Sequence, residues 1–554
     1  MKLADDYWKG TLDANPRWST SLGDRSRDAL LEDPSPAAKE REVSRLEGLL
    51  AEVKKLDRAS LSAEDALTAS ALELQIRNDL DLLAACFEEW NVDPLNGPHV
   101  ELLNLVDVQT VTTKKQAQDM IDRWCLIGPY FKQVNANLLR GFSRRRVATS
   151  AAIEKTVTQL DDLLARPTED WPLYRPAKEA HDDWSAGERA GFAEALATAI
   201  DQSARPGLER YRALLRDVLS KMARSADEAG VSNIDPSVYQ RLIRVHTSLD
   251  LDADTVHATG LAEVARIDAE IVKLGAKLLG AKSVTEVRTK LANDPSMFFD
   301  SRDAVAKKAE AALRRAESVV PRYFGRLPKT PCIVKRMEPH EEKFSTIAYY
   351  RQPSADGSRP GSYFINTSAP ETRPRYEAEA LAFHEAVPGH HTQIAIAQEH
   401  EGMAEFRKHT GTTAYVEGWA LYTERLADEI GLYEGDLDRL GMLSFEAWRA
   451  CRLVVDTGLH AKNWTRQQAI DFMTAHTLLA ANNIANEVDR YIVWPGQALA
   501  YKIGQLEILK LRDEAKAKLG ARFDLKGFHD VVLDAGAVAL PVLRDRVSAW
   551  ASRR

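Results

Sequence analysis

A helix that must break in its middle constrains this chain more than any other feature. From Leu381 to Gln393 the sequence reads L-A-F-H-E-A-V-P-G-H-H-T-Q, with three histidines and a glutamate inside eight residues around a Pro-Gly pair. In the H-E-x-x-H pattern two histidines four apart share one helical face and hold zinc, while the glutamate between them handles protons. Here the fourth position after His384 is Pro388. On an unbroken helix His390, six residues on at about 100° each, would sit roughly 240° round the axis, and His391 would lie roughly 10 Å along it. Neither could share an ion with His384. Pro388 cannot donate to the carbonyl of His384 and its ring clashes there, so a kink or bulge is expected where the ligand geometry requires one; Gly389 supplies backbone freedom. Loosened in this way, the chain can bring His390 to the place of the missing second histidine. The alternative is a capped helix end with partly exposed histidines. The His-Glu pair alone says nothing, since His340-Glu341 and His400-Glu401 repeat it without a histidine at useful spacing.

The segment resembles the H-E-x-x-P-G-H-x-x-Q signature of the bacterial domain of unknown function family 885, grouped with gluzincin metallopeptidases such as thimet oligopeptidase and angiotensin-converting enzyme. The likeness extends from Tyr7 and Asn15-Pro16 to the P-G-Q-A-L-A-Y run ending at Tyr501, nearly the whole chain. It implies one zinc ion per chain, with a third ligand from a glutamate on a downstream helix. Thr412 to Leu426 contains Y-V-E-G-W-A-L-Y-T-E, in which Glu417 and Glu424 stand seven apart on one helical face, and Glu417 follows His390 by 27 residues. The resemblance assigns His384, His390 and Glu417 as ligands and Glu424 as a partner orienting a histidine. His391 becomes a neighbour of the ligands, because the family pattern demands only the first histidine of the pair. For an isolated glutamate the alternative is an ordinary surface residue.

Two neutral imidazoles and one carboxylate leave a divalent ion with net positive charge, enough to lower the pKa of a water to about 7. Glu385, next to a ligand but unable to reach the ion, is the expected general base. Tyr501 resembles the tyrosine that gluzincin peptidases bring to the oxyanion, and His460 in R-L-V-V-D-T-G-L-H is the other candidate. A lone Tyr or His in a helical region is more often a core residue. Gln497, Lys502 and Arg452 are weaker candidates to hold a substrate carboxylate.

The rest of the chain reads as helical. Ala38 to Leu56, Ala63 to Phe87 and Thr113 to Leu139 carry apolar residues at three-and-four spacing, the last with an expected kink at Pro129. The pattern resumes over Gly187 to Ala226, interrupted at Pro206, then over Ala253 to Leu279 and Ala304 to Val319. Arg140 and Arg144 to Arg146 form a basic cluster that could meet an anionic terminus, although charge runs are usually solvated faces. Pro331 to Asn366 alone is β-like: Cys332 to Val334, Thr346 to Tyr350 and Tyr363 to Ile365 suggest a small antiparallel sheet directly before a helix capped by Thr372. Zincins commonly place such a sheet there, its edge pairing with extended substrate, which makes Tyr349 and Tyr350 substrate-binding candidates. The glycine-rich Asp356 to Gly361 lacks a Lys-Ser/Thr ending and precedes a strand, so it is no phosphate loop.

These readings give a mainly α, two-lobed zincin-like metallopeptidase. Residues 1–327 form a helical lobe and 328–554 a catalytic lobe: sheet 331–366, motif helix 372–398, ligand helix 412–428, then C-terminal helices. They are expected to make one body whose two lobes wall a deep channel for short or unfolded peptides. A small amide conjugate as substrate, and a non-catalytic binding protein with a relic site, are the alternatives. The net charge of −8 argues against nucleic acid or an anionic membrane as partner. Four scattered cysteines fit free buried thiols, and the opening residues lack a signal-peptide run, so a cytoplasmic location is expected.

Overall fold

Apolar spacings become helices in the computed structural model, which describes residues 2–225, 234–337, 342, 347–354, 357 and 359–553. The His340-Glu341 pair, Thr346, Asp356 and Ser358 lie outside the described residues. The chain is mainly helical with one three-stranded sheet. It divides into two units, residues 1–60, 76–233 and 354–356 in the first, and 61–75, 234–353 and 357–554 in the second. The boundary drawn from the sequence at 327 thus differs from the one drawn by contacts, because the helix Ala253–Leu279 packs along Asp436–Ala461 and belongs with it.

The first unit builds its core from Trp124, Phe131, Trp171, Leu196 and Tyr211. The kink expected at Pro129 falls earlier: Lys114–Cys125 ends and Ile127–Ser143 begins around Leu126. Pro129 then occupies the first turn of the second helix, where its missing N–H has no bond to lose. Pro206 does not stop its helix either, since a π-helical turn at Ile200–Ala204 leads into Arg205–Ala213. The basic cluster is structural. Arg140, Arg144 and Arg146 converge on the buried carboxylate of Glu89 at 3.0, 2.7 and 3.6 Å.

The second unit holds the sheet, β1 (Cys332–Arg336), β2 (Ala348–Arg351) and β3 (Gly361–Ile365). Seven of its helices concern the site: α1 (Ala253–Leu279), α2 (Ala378–Glu385), α3 (His390–Gln398), α4 (Thr413–Glu429), α5 (Asp436–Ala461), α6 (Ala481–Val493) and α7 (Ala500–Leu519). The sheet is mixed, not antiparallel as expected. Its order is β1-β3-β2, with β3 parallel to β1 and antiparallel to β2. The chain reverses direction at each connection, so the first and third strands run the same way, and β3 enters between the other two. Cys332, Tyr350, Gly361 and Tyr363 share one face by register and alternation.

Thr372 does not cap the motif helix. It closes a 3₁₀ turn, Pro370–Thr372, and α2 begins at Ala378 after a second such turn, Arg375–Glu377. Pro374, between the two, favours an extended residue before it and so separates them. All four cysteines are free, but only Cys332 and Cys451 are buried; Cys86 is half-buried and Cys125 exposed. No helix among the described residues is long and apolar enough to cross a membrane.

Candidate metal centre

The break in the motif helix is sharp. Ala386 leaves the helical region with φ −108° and ψ −109°, the Val387–Pro388 bond is cis, and α3 starts afresh at His390. Gly389 stands at the tightest point, where a Cβ would lie 1.9 Å from the carbonyl oxygen of His384. The carbonyl of Pro388 accepts from the buried indole of Trp419 at 3.0 Å. Helix α4 therefore holds the break in place from the same turn that carries Glu417.

Across the break two imidazoles meet, their centroids 4.8 Å apart and their planes at 88°. Glu417 Oε2 lies 3.4 Å from His390 Nε2 and 3.7 Å from His384 Nε2. One donor atom from each of the three lies within 4.8 Å of the others. These separations are long for hydrogen bonds, but ligands held at about 2.0–2.1 Å from one tetrahedral ion stand roughly 3.3 Å apart. Glu417 Oε2 is buried with no hydrogen-bond partner among the described residues, as is His390 Nδ1. A buried carboxylate oxygen facing two imidazole nitrogens without bonding either is costly unless a cation completes it. His384, His390 and Glu417 thus fit a metal ion.

Glu424, two turns along α4, accepts from the far side of His384: its Oε1 is 2.7 Å from Nδ1. With Nδ1 engaged by a carboxylate, His384 presents Nε2 toward Glu417 and His390. Burial disfavours charge on His384, but Glu417 and Glu424 outweigh it and raise its pKa to about 9. Burial would likewise raise Glu417, but the two histidines hold its carboxyl well below the usual range. The metal-free centre therefore carries a proton on His384 at pH 7. In that state the raised pKa stabilises the fold fully below the unfolded value of 6.5, and the stabilisation fades as pH rises through about 9. Ligation needs the neutral ring, so uptake of a divalent metal ion at pH 7 will release about one proton per ion, and fewer as pH passes 9. Calorimetric titration in buffers of different ionisation enthalpy measures this. A proton count of zero at pH 7 would show that His384 is already neutral.

Glu385 ends α2 beside His384, buried but with no hydrogen bond or ion pair among the described residues. It neighbours Tyr363 of β3, whose hydroxyl is buried and unpartnered among the described residues; burial first, then the charge of Glu385, suppresses that hydroxyl's acidity. Tyr501 comes from the first turn of α7, which crosses α4 where Gly418 meets Gly504. A Cβ on Gly504 would lie 1.7 Å from the carbonyl oxygen of Ala414. This close crossing sets the Tyr501 ring 6.4 Å from that of His384, nearly parallel at 15°. The Tyr501 hydroxyl accepts from Arg490 Nη2 at 3.3 Å.

The other expected residues have partners of their own. His391 uses both nitrogens, Nδ1 with the Tyr350 hydroxyl and Nε2 with the Thr330 carbonyl, each at 2.9 Å. Burial lowers its pKa to about 4, so it is neutral and ties the sheet to α3. The Tyr350 hydroxyl is thereby occupied. Tyr349 points to the opposite face and stacks on Phe364 at 4.9 Å. The contacts seen for the two tyrosines are thus to His391 and Phe364. His460 sits eight residues beyond Arg452, about 12 Å along α5. Its Nε2 is 2.9 Å from the Tyr491 carbonyl, its ring packs on Tyr239 at 5.1 Å, and burial lowers its pKa to about 4. That is a core histidine, not an oxyanion donor. Lys502 is fully buried between Glu446 at 2.7 Å, Glu263 at 2.9 Å and Gln505 at 2.7 Å, so it is unavailable to a substrate carboxylate. Gln497 accepts from Arg490 at 2.9 Å, and Arg452 lies over the Tyr501 ring at 4.1 Å.

Sequence reasoning does not single out Trp419, Arg449, Arg490 or Glu487. Trp419 has a visible signal, since it lies two residues after Glu417 in the Y-V-E-G-W run. The other three have none short of the packing of α5 against α6.

A family model matches residues 16–547 of the chain. None of the curated proteins matches it. The crystal structure of a "putative lipoprotein" from Colwellia psychrerythraea is similar over 100% of this chain and 99% of that one, with 28% identity and a TM-score of 0.93. That of a "putative lipoprotein of unknown function" from Shewanella oneidensis is similar over 98% of each chain, with 18% identity and a TM-score of 0.74. A third, described as a "putative oligoendopeptidase F" from Bacillus anthracis str. Ames, covers 91% of this chain and 92% of its own at 12% identity; its TM-score of 0.35 falls short of a shared fold. The expected cytoplasmic location does not stand, since both of these solved structures are described as putative lipoproteins. The chain belongs to the family of bacterial proteins of unknown function DUF885.

Proposed function

We propose that this protein is a zinc-dependent metallopeptidase of gluzincin type that hydrolyses peptide bonds in short or unfolded peptides. The observation that carries the reading is the convergence of His384, His390 and Glu417 Oε2 across a broken helix, with a second carboxylate on His384 and Glu385 beside it, Glu417 Oε2 and Glu385 having no hydrogen-bond partner among the described residues. When bound, zinc would act as a Lewis acid and lower the pKa of a water at the site. Glu385 takes a proton from the attacking water and later delivers it to the leaving amine. Glu424 keeps the His384 ring in the orientation that aims Nε2 at the other two ligands. Because Tyr501 accepts from Arg490, its own proton remains available to a developing oxyanion.

Elemental analysis of protein purified without chelator will find one zinc per chain. A mixed peptide library will be cleaved, cleavage will stop on treatment with 1,10-phenanthroline, and zinc will restore it. Protein without stoichiometric metal, or cleavage indifferent to the chelator, would overturn the reading.

A further inference from the structure

Next to this centre the chain buries more positive charge than it neutralises. Arg449 and Arg452 stand one turn apart on α5, and Arg490 comes from α6. Among the described residues the carboxylate paired with them is Glu487, 2.9 Å from Arg452 and 3.5 Å from Arg490. Arg452 also donates to the Tyr491 hydroxyl at 3.0 Å, and Arg490 to Gln497 and Tyr501. Arg449 makes no hydrogen bond or ion pair among the described residues. It is 3% exposed, and its Nε and Nη1, like Arg452 Nη1, are buried without an acceptor.

Instead the Arg449 guanidinium lies over Trp448 at 4.0 Å and Phe445 at 4.7 Å. Burial opposes its charge and lowers its pKa, against the attraction of Glu424. Stacking recovers part of the cost of desolvation, but unpaired N–H groups remain the expensive part, and a planar fork of donors matches a carboxylate or a phosphate two bonds at a time, of which a peptide substrate carries the carboxylate. Tyr501 links the cluster to the His384 ring. The Tyr501 ring lies 6.4 Å from the His384 ring, 4.1 Å from the Arg452 guanidinium and 5.9 Å from that of Arg449.

We propose that Arg449, Arg452 and Arg490 bind the C-terminal carboxylate of the substrate, which makes the protein an exopeptidase releasing one or two residues from the C-terminus. The assignment rests on the metallopeptidase reading above. An extended peptide advances about 3.3 Å per residue, so a carboxylate seated beyond the Tyr501 ring leaves room for one or two residues before the bond at the His384 side.

The test is a binding measurement on zinc-loaded Glu385→Gln protein, which keeps the peptide intact. N-acetyl-trialanine with a free C-terminus will bind at least about 30-fold more tightly than its C-terminal amide, about 2 kcal/mol. The preference will shrink below about threefold in the Arg449→Gln protein with the same Glu385→Gln background. It will survive removal of zinc, because the arginines and not the ion read the carboxylate. Equal binding of acid and amide, no binding of the acid, or a preference that vanishes with the metal would each overturn the proposal. So would an amidated peptide ending in aspartate that binds as tightly as the free acid, since the cluster would then read acidic side chains. The acid-amide comparison needs no change at Arg449, so it decides the matter even if that variant folds poorly. The two readings fail separately: zinc-dependent cleavage of acid and amide alike keeps the metallopeptidase and discards the carboxylate site, whereas loss of the metallopeptidase reading shows as absent zinc.

Discussion

Glu385→Gln protein will retain its zinc and lose turnover by about 10²–10⁴-fold, the range a positioned general base contributes. Glutamine has the shape of glutamate and cannot take a proton, so the substitution isolates that one function. The metal should be untouched, because Glu385 follows His384 on α2 and is turned about 100° away from it, outside the set formed by His384, His390 and Glu417. Folding should also be untouched, since the carboxylate makes no hydrogen bond or ion pair among the described residues that an amide would break. A proton acceptor acts only in the chemical step, so kcat and kcat/KM should fall together while KM stays near its original value. Parallel zinc analysis and steady-state kinetics decide it. Full activity in the variant would remove Glu385 from the mechanism, and loss of zinc would show that its role is to hold the site.

The parts of the site that could be read from the chain are those set by local covalent geometry. Pro388 and Gly389 dictate a break whatever surrounds them, and the break is what lets residues six apart face one point. The seven-residue interval between Glu417 and Glu424 places both on one face of α4, so they address the same ring, Glu417 at Nε2 and Glu424 at Nδ1. What could not be read depends on which distant helices come together. Lys502 looks like any basic residue near a tyrosine until Glu263 on α1 and Glu446 on α5 are seen to enclose it. Arg449 has no distinguishing neighbour in sequence, and its lack of an acceptor among the described residues is a fact about the packing of α5 against α6 and α7. The mixed sheet is of the same kind, because local alternation marks strands but not the strand that enters the middle. His460 misleads for a different reason: a histidine on an amphipathic helix reads the same whether its nitrogen meets a substrate or the carbonyl of Tyr491.

Gly389→Ala should cost the metal, although the added group is a single methyl distant from every ligand atom in bonding terms. A Cβ at this position would lie 1.9 Å from the carbonyl oxygen of His384 and 2.4 Å from that of Phe383. Both obstacles are backbone, so neither can rotate away. The strain must be relieved by opening the turn between Ala386 and His390, and that turn alone determines where His390 points. Overpacking of this kind costs about 1–3 kcal/mol or more. Because the relief moves a ligand, the larger effect should fall on the ion, with zinc affinity reduced at least about 100-fold, beyond the loss seen when an outer partner of a ligand is removed. Trp419 and Glu424 hold Pro388 and His384 from the other side, so the displacement must be taken up by α3 and not shared across the break. Gly48→Ala is the matched control. It lies inside the helix Pro36–Lys54 with nothing within 4 Å of the added Cβ, and should leave zinc binding unchanged while raising stability slightly. If Gly389→Ala protein binds zinc as the unaltered protein does, the geometry of the broken helix is not what assembles the site, and the explanation of how His390 reaches the ion fails with it.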